Sequence, residues 1–225
     1  MDIDPNFIRS GLLTYVVLVA SFSLHEWAHA LAADLLGDDT PRNDGRLTLN
    51  PLVHMDLVGT VILPLFNIFV LGSGFPFIAW AKPVRMNDAN FKHRVRDDIL
   101  STLAGPAANI AAAFIAVILG SLFVTAYPRL AELVHRFVVL NVGLTVFNLL
   151  PVPPLDGGRI FRHVVGMSEE TFIRVSRVSG IAMLFAINLE VVQQAIGYLV
   201  ELSLIPYWIV GGWINPQAIF LIYHS

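Results

Sequence analysis

Cysteine is absent from the 225 residues, which excludes disulfides and thiolate metal sites alike. Any metal would have to be held by nitrogen and oxygen. Charge is scarce as well: 14% of residues are charged, against about 25% in soluble domains. With 56% hydrophobic residues and a mean hydropathy of +0.68, the balance predicts a polytopic membrane protein, which overrides the one or two soluble domains that length alone would allow. A net charge of −3 offers no hint of a nucleic-acid partner. Internal repeats and low-complexity linkers are lacking too. The opening "MDIDPNFIRSGLL" is acidic where a cleavable signal peptide would be basic, so the first apolar segment is expected to stay in the mature protein.

Long apolar runs are what the chain has in plenty. The first covers residues 7–36, enough at 1.5 Å per residue to cross a hydrocarbon core about 30 Å thick. A shorter run covers 57–72. Full spans are predicted at 99–127, which opens with "LAGPAANIAAA" and invites close helix approach, and at about 130–150. Two more candidates follow at about 172–200 and 202–223, the last interrupted by "GGWINPQ". The fold class expected is therefore an all-α polytopic membrane protein with five to six transmembrane helices. It is expected to form a single domain over 1–225, with a core at about 7–165 and C-terminal helices at about 172–224. "GRLTLN" and "AKPVRMN" carry the alternation of short membrane-associated β-strands.

Within the first run stands "HEWAH". An ionisable group at the bilayer centre costs about 2.5–3.5 kcal/mol, so three of them in little more than one turn need a reason. His25 and His29 are four apart and project from one helix face, with Glu26 flanking them. This is the spacing by which HExxH metalloproteases hold zinc, with glutamate as base rather than ligand. Histidines bonded to backbone carbonyls would be the ordinary alternative, but in lipid that leaves Glu26 unexplained. Two histidines do not close a site, because catalytic zinc takes three protein ligands. Asp156 in "PLDGGR" is the best third candidate: Pro151, Pro153 and Pro154 break the helix before it, leaving irregular backbone that must be buried or line a wet cavity. Gly157 and Gly158 permit close approach. The simpler role for Asp156 is a cap on the next helix.

If the two motifs meet, their helices cross in the same direction. With 99–127 supplying the return, segment 57–72 must dip in and come back through "SGFPF" as a re-entrant hairpin. Arg42, Arg46, Lys82, Arg85, Lys92, Arg94, Arg96, Arg159, Arg162, Arg174 and Arg177 then fall on the motif side, and only Arg9, Arg129 and Arg136 on the other. The positive-inside rule predicts that the motifs face the cytoplasm.

"HEWAHA" in a first hydrophobic helix, "AGPAAN" opening a later one and "NLLPVPPLDGGR" closing the next resemble the site-2 protease family of intramembrane zinc metalloproteases. "RLTLNPLVHMDLVGT" and "WAKPVRMN" resemble segments of its small prokaryotic members, which lack a PDZ domain; Leu57 stands where many relatives carry proline. The resemblance covers about residues 20–165. It implies one Zn2+ per chain on His25, His29 and Asp156, with Glu26 as general base and Asn148 helping to hold the substrate carbonyl. It further implies an integral protein of a prokaryotic plasma membrane that cuts peptide bonds in or near transmembrane segments. Its partners would be transmembrane protein or peptide substrates and the lipid bilayer; a homo-oligomer stays open. Two other classes compete: a pseudo-protease that keeps the zinc but only holds or chaperones membrane partners, and a metal transporter, which would need ligands spread along a path. His54 is expected to bond backbone in a loop over the site, and Asn109 to form a helix–helix hydrogen bond.

Overall fold

In a computed structural model, which describes residues 4–71 and 79–224, the chain is a helical bundle built around its first apolar segment. Helix α1 (Pro5–Leu35) starts where the Asp4 carboxylate accepts from Asn6 N with Pro5 in the first turn. It ends before Gly37, whose φ of 108° turns the chain away. Two single turns follow, α2 (Thr40–Asn43) and α3 (Pro51–His54). Next is an apolar helix, Leu57–Val70, wound partly in π-helical turns around α4 (Leu63–Phe66). The long helix α5 (Arg94–Phe123) leads to α6 (Ala131–Asn148), a short α7 (Asp156–Val164), α8 (Glu169–Ala186), α9 (Glu190–Ile214) and α10 (Pro216–Tyr223).

Helices α1, α5 and α6 pack against one another, and α9 closes against α5 and α6. Val17, Leu18, Val117, Val138 and Leu144 form the dry centre of this packing. Buried polar contacts hold α1 to α6: Asn141 Nδ2 donates to Ser21 Oγ at 2.9 Å. Farther along, Arg136 donates to Ser10 and Thr14, while Arg9 and Arg136 share Glu132. Outward-facing apolar side chains such as Val16, Ile115, Leu122 and Trp213 lie exposed, as lipid-facing surface would be.

Among the described residues, four helices are long and apolar enough to cross a membrane: α1, α5, the Pro128–Asn148 stretch and α9. The expectation of five to six is corrected at the C-terminal end. The predicted span 172–200 breaks at Ile187–Leu189, where Asn188 turns back onto Phe185 and Glu190 opens a new helix. Its first part, α8, begins with Glu169, Glu170, Arg174 and Arg177, too polar to serve as a span. The second break falls at Asn215, within "GGWINPQ", whose side chain caps α10.

The expected β-strands are absent among the described residues. Residues 79–85 form no regular element and pair with no second strand. Trp80 N and Lys82 N donate to the carbonyls of Gly59 and His54, which sit on helical turns. Residues 45–50 instead turn back on themselves, with Thr48 N donating to Arg46 O. The two ends of the segment expected to be re-entrant lie at different places along the bundle. Phe69 lies against Phe7 and Gly11 near the start of α1, yet by Trp80 the chain is again beside Gly59. The turn expected at "SGFPF" lies outside the described residues.

Candidate metal centre

The i, i+4 spacing on α1 brings the His25 and His29 rings edge to face, 4.5 Å between centroids, with their Nε2 atoms 3.0 Å apart. Both are buried. His29 Nδ1 lies 2.8 Å from the Ser101 carbonyl on α5. A carbonyl only accepts, so Nδ1 carries the proton and Nε2 keeps its lone pair.

The third group arrives from more than a hundred residues away. Three prolines keep residues 150–155 out of helix, so α6 stops at Asn148 and α7 restarts at Asp156. The loop folds tightly back over the start of α7. A Cβ at Gly157 would collide with the Leu149 and Leu150 carbonyls, and one at Gly158 would lie 2.7 Å from Pro153 Cα. It is therefore the chain's own backbone that needs these glycines. Asp156 Oδ2 stands 3.2 Å from His25 Nε2 and 3.4 Å from His29 Nε2. The capping alternative is not what the geometry shows: Leu155 holds the cap position, and no side-chain cap bond is made.

Among the described residues, His25, His29 and Asp156 form one group able to hold a metal ion, all three ligand atoms lying within 4.8 Å of one another. Metal–ligand bonds of about 2.0–2.1 Å in a tetrahedron place ligand atoms about 3.3 Å apart, close to the separations seen. Asp156 Oδ2 is buried with no hydrogen-bond partner. Lone pairs crowded this way repel unless a cation sits among them, so the residues present fit a divalent metal.

Glu26 is buried beside His25, and its Oε2 accepts from Val84 N at 2.9 Å; among the described residues nothing bonds Oε1. A cavity of about 470 Å³ opens onto Glu26, His25, Asp156 and Asn148. Its other walls are apolar: Phe22 of α1, Trp80 and Ala81, Leu144 and Phe147 of α6, and Met183 and Leu184 of α8. Asn148 Nδ2 donates to Leu144 O at 2.9 Å and retains a second N–H. His54 stands apart from the metal group. Its Nε2 bonds the Thr48 carbonyl at 2.8 Å, as expected of a loop residue. Asn109 does not make the expected interhelical bond; it is buried with neither amide atom partnered, and Asn141 supplies that kind of contact instead.

Sequence reasoning missed two parts of the site. "AGPAAN" read as a helix-packing stripe, whereas Gly105 faces the imidazoles: a Cβ there would lie 2.7 Å from His25 Cε1 and closer still to His29. A Gly-Pro pair inside an apolar helix was the available signal. The Ser101 carbonyl, being backbone, left none.

Two imidazoles and a carboxylate able to hold a metal ion, converging inside a bundle of membrane-length helices, point to the class of membrane metalloproteins. Residues 125–188 match the model of "Peptidase family M50". The "Putative zinc metalloprotease YwhC" of Bacillus subtilis (strain 168) is 40% identical over 165 residues, 69% of this chain and 71% of that protein. The "Putative zinc metalloprotease Rip2" of Mycolicibacterium smegmatis is 36% identical over 153 residues, 68% of this chain and 57% of its own length. No solved structure matches. The chain belongs to the site-2 protease family, peptidase family M50.

Proposed function

We propose that this chain is an intramembrane zinc metalloprotease, one catalytic domain over 1–225, that hydrolyses peptide bonds in or near transmembrane segments. The observation that carries the reading is the convergence of His25, His29 and Asp156 next to Glu26, on the wall of a cavity within the bundle. His25 Nε2, His29 Nε2 and Asp156 Oδ2 would hold the ion. Zinc on such a donor set supplies a Lewis acid and lowers the pKa of water toward about 7. The relatives are named zinc metalloproteases; His25, Glu26 and His29 of the HExxH motif, joined by Asp156, support bringing both properties to this chain.

The protein's own groups then have defined tasks. Glu26, held at Oε2 by Val84 N–H, takes a proton at Oε1 from the attacking water and returns it to the leaving amine nitrogen. Asn148 offers its remaining N–H to the substrate carbonyl oxygen as charge develops there. The apolar walls receive the side chains next to the cut. A helical substrate must unwind first, because its peptide bonds are covered. Residues 79–84 supply backbone for it: the N–H groups of Trp80 and Lys82 are already bonded, and Ala81 between them lies on the cavity wall. The excess of arginine and lysine at the metal-centre end supports an active site toward the cytoplasm.

Metal analysis of the purified chain beside Asp156→Ala tests the centre. One zinc per wild-type chain, lost in Asp156→Ala, is expected; zinc fully kept by the variant would end the reading. Glu26→Gln adds the distinction from a zinc-bearing protein that only binds partners. It should keep its zinc while cleavage falls about 100- to 10,000-fold.

A further inference from the structure

We propose that Asp98 is a positioning residue that sets the distance between Asp156 and the paired imidazoles; this rests on the metal centre proposed above. Asp98 lies on α5 outside the metal group and is completely buried. Its carboxylate is the anchor of α7. Oδ1 accepts from Arg159 Nε at 2.8 Å, and Arg159 also closes to 2.6 Å through its terminal nitrogen. Oδ2 lies 2.6 Å from His163 Nε2 and 3.3 Å from Arg162.

Those three partners sit three, six and seven residues after Asp156, along one face of α7. A nine-residue helix is only about 13 Å long, so fixing its second and third turns fixes its first residue. That first residue is Asp156.

The same turn of α5 also holds the other half of the centre. Ser101 Oγ donates to the Asp98 carbonyl at 3.0 Å, and the Ser101 carbonyl meets His29 Nδ1 at 2.8 Å. One turn further on, Gly105 abuts both rings. Thus α5 references the carboxylate ligand through Asp98 and the imidazoles through Ser101 and Gly105. Neither the ligand helix α1 nor α7 needs to touch the other for their spacing to be set. Arg162 carries the anchor onward, pairing with Glu169 and lying over the Phe172 ring, 5.5 Å from its centroid, at the start of the α8 wall.

A buried ion cluster can simply add stability, and often adds little. Positioning predicts something separate: a change in metal affinity beyond any change in the metal-free protein. The test uses the full chain in detergent, with zinc affinity read by chelator competition and unfolding followed with and without zinc. Asp98→Asn should weaken zinc binding about 10- to 100-fold, the usual cost of losing a group that orients ligands. Arg159→Met, which leaves Asp98 paired with Arg162 and His163, should give a smaller loss in the same direction. Arg174→Met, on an exposed pair with Glu170, should bind as wild type. A folded Asp98→Asn or Arg159→Met with wild-type zinc affinity overturns the proposal. So does collapse of both variants without zinc, which would make Asp98 purely structural. If the wild type itself binds no zinc, the metal centre fails rather than the role of Asp98.

Discussion

A methyl group at position 105 would enter space that the two imidazoles already occupy. Elsewhere in a helix, replacing glycine by alanine stabilises by about 0.5–1 kcal/mol, because the unfolded chain loses freedom. Gly197 on α9, with nothing within 4 Å of a built Cβ, is such a place. The two positions should therefore respond with opposite signs. Gly197→Ala is expected to leave zinc binding and cleavage unchanged and to unfold at the same or higher temperature. Gly105→Ala must push His29 or His25 aside, at a cost of about 1–3 kcal/mol for overpacking, and should lose zinc affinity and cleavage together. Thermal unfolding with and without zinc checks the pair; a Gly105→Ala protein with wild-type zinc affinity would remove Gly105 from the centre. At this scale the sequence was readable where side chains carry the chemistry. The spacing of His25 and His29 and the prolines before Asp156 announce themselves. Backbone and glycine contributions, from Ser101 and Gly105, have no side chain to advertise them.

Between residue and fold, the elements most open to misreading were the extended ones. "AKPVRMN" has a strand's alternation, but a strand exists only if another chain pairs with it, and here Trp80 and Lys82 bond to carbonyls on helical turns. Ala81 stands between two bonded neighbours and lines the cavity. If a substrate segment pairs there, Ala81→Pro removes the one N–H it would use while sparing those of Trp80 and Lys82. The variant is expected to keep one zinc and lose at least about 10-fold in cleavage, as one or more hydrogen bonds to substrate disappear. Measuring zinc content beside cleavage of a transmembrane substrate checks it, and wild-type cleavage would dispose of the pairing. The C-terminal helices were misdrawn for a different reason. Apolar content continues through Ile187–Leu189 and through Glu201, yet only the first is a break. Glu201 rides on the exposed side of α9 and interrupts nothing, whereas Asn188 and Glu190 together end one helix and begin the next. Hydropathy averages over such local capping and cannot see it.

Across the whole molecule, charge is arranged along one axis. At the end far from the metal centre, Arg9 and Arg136 are tied up with Glu132. At the other end, arginines lie paired with Asp34, Asp44 and Asp98 among further lysines and arginines of the connecting segments. Pairing does not cancel the signal, because orientation follows the count of lysine and arginine near span ends rather than net charge. This end-to-end asymmetry was legible in sequence once α1 and α6 had to run in the same direction to join their motifs. It needed no knowledge of how the bundle packs. The chain's lack of cysteine makes the consequence directly measurable, since a single introduced thiol is the only one present. Lys92, Arg129 and Arg177 are exposed and suit the purpose. With a membrane-impermeant maleimide outside intact cells, Arg129→Cys should label at once. Lys92→Cys and Arg177→Cys should stay unlabelled until the membrane is opened. The reverse pattern would put the metal centre on the outer side and overturn the cytoplasmic orientation.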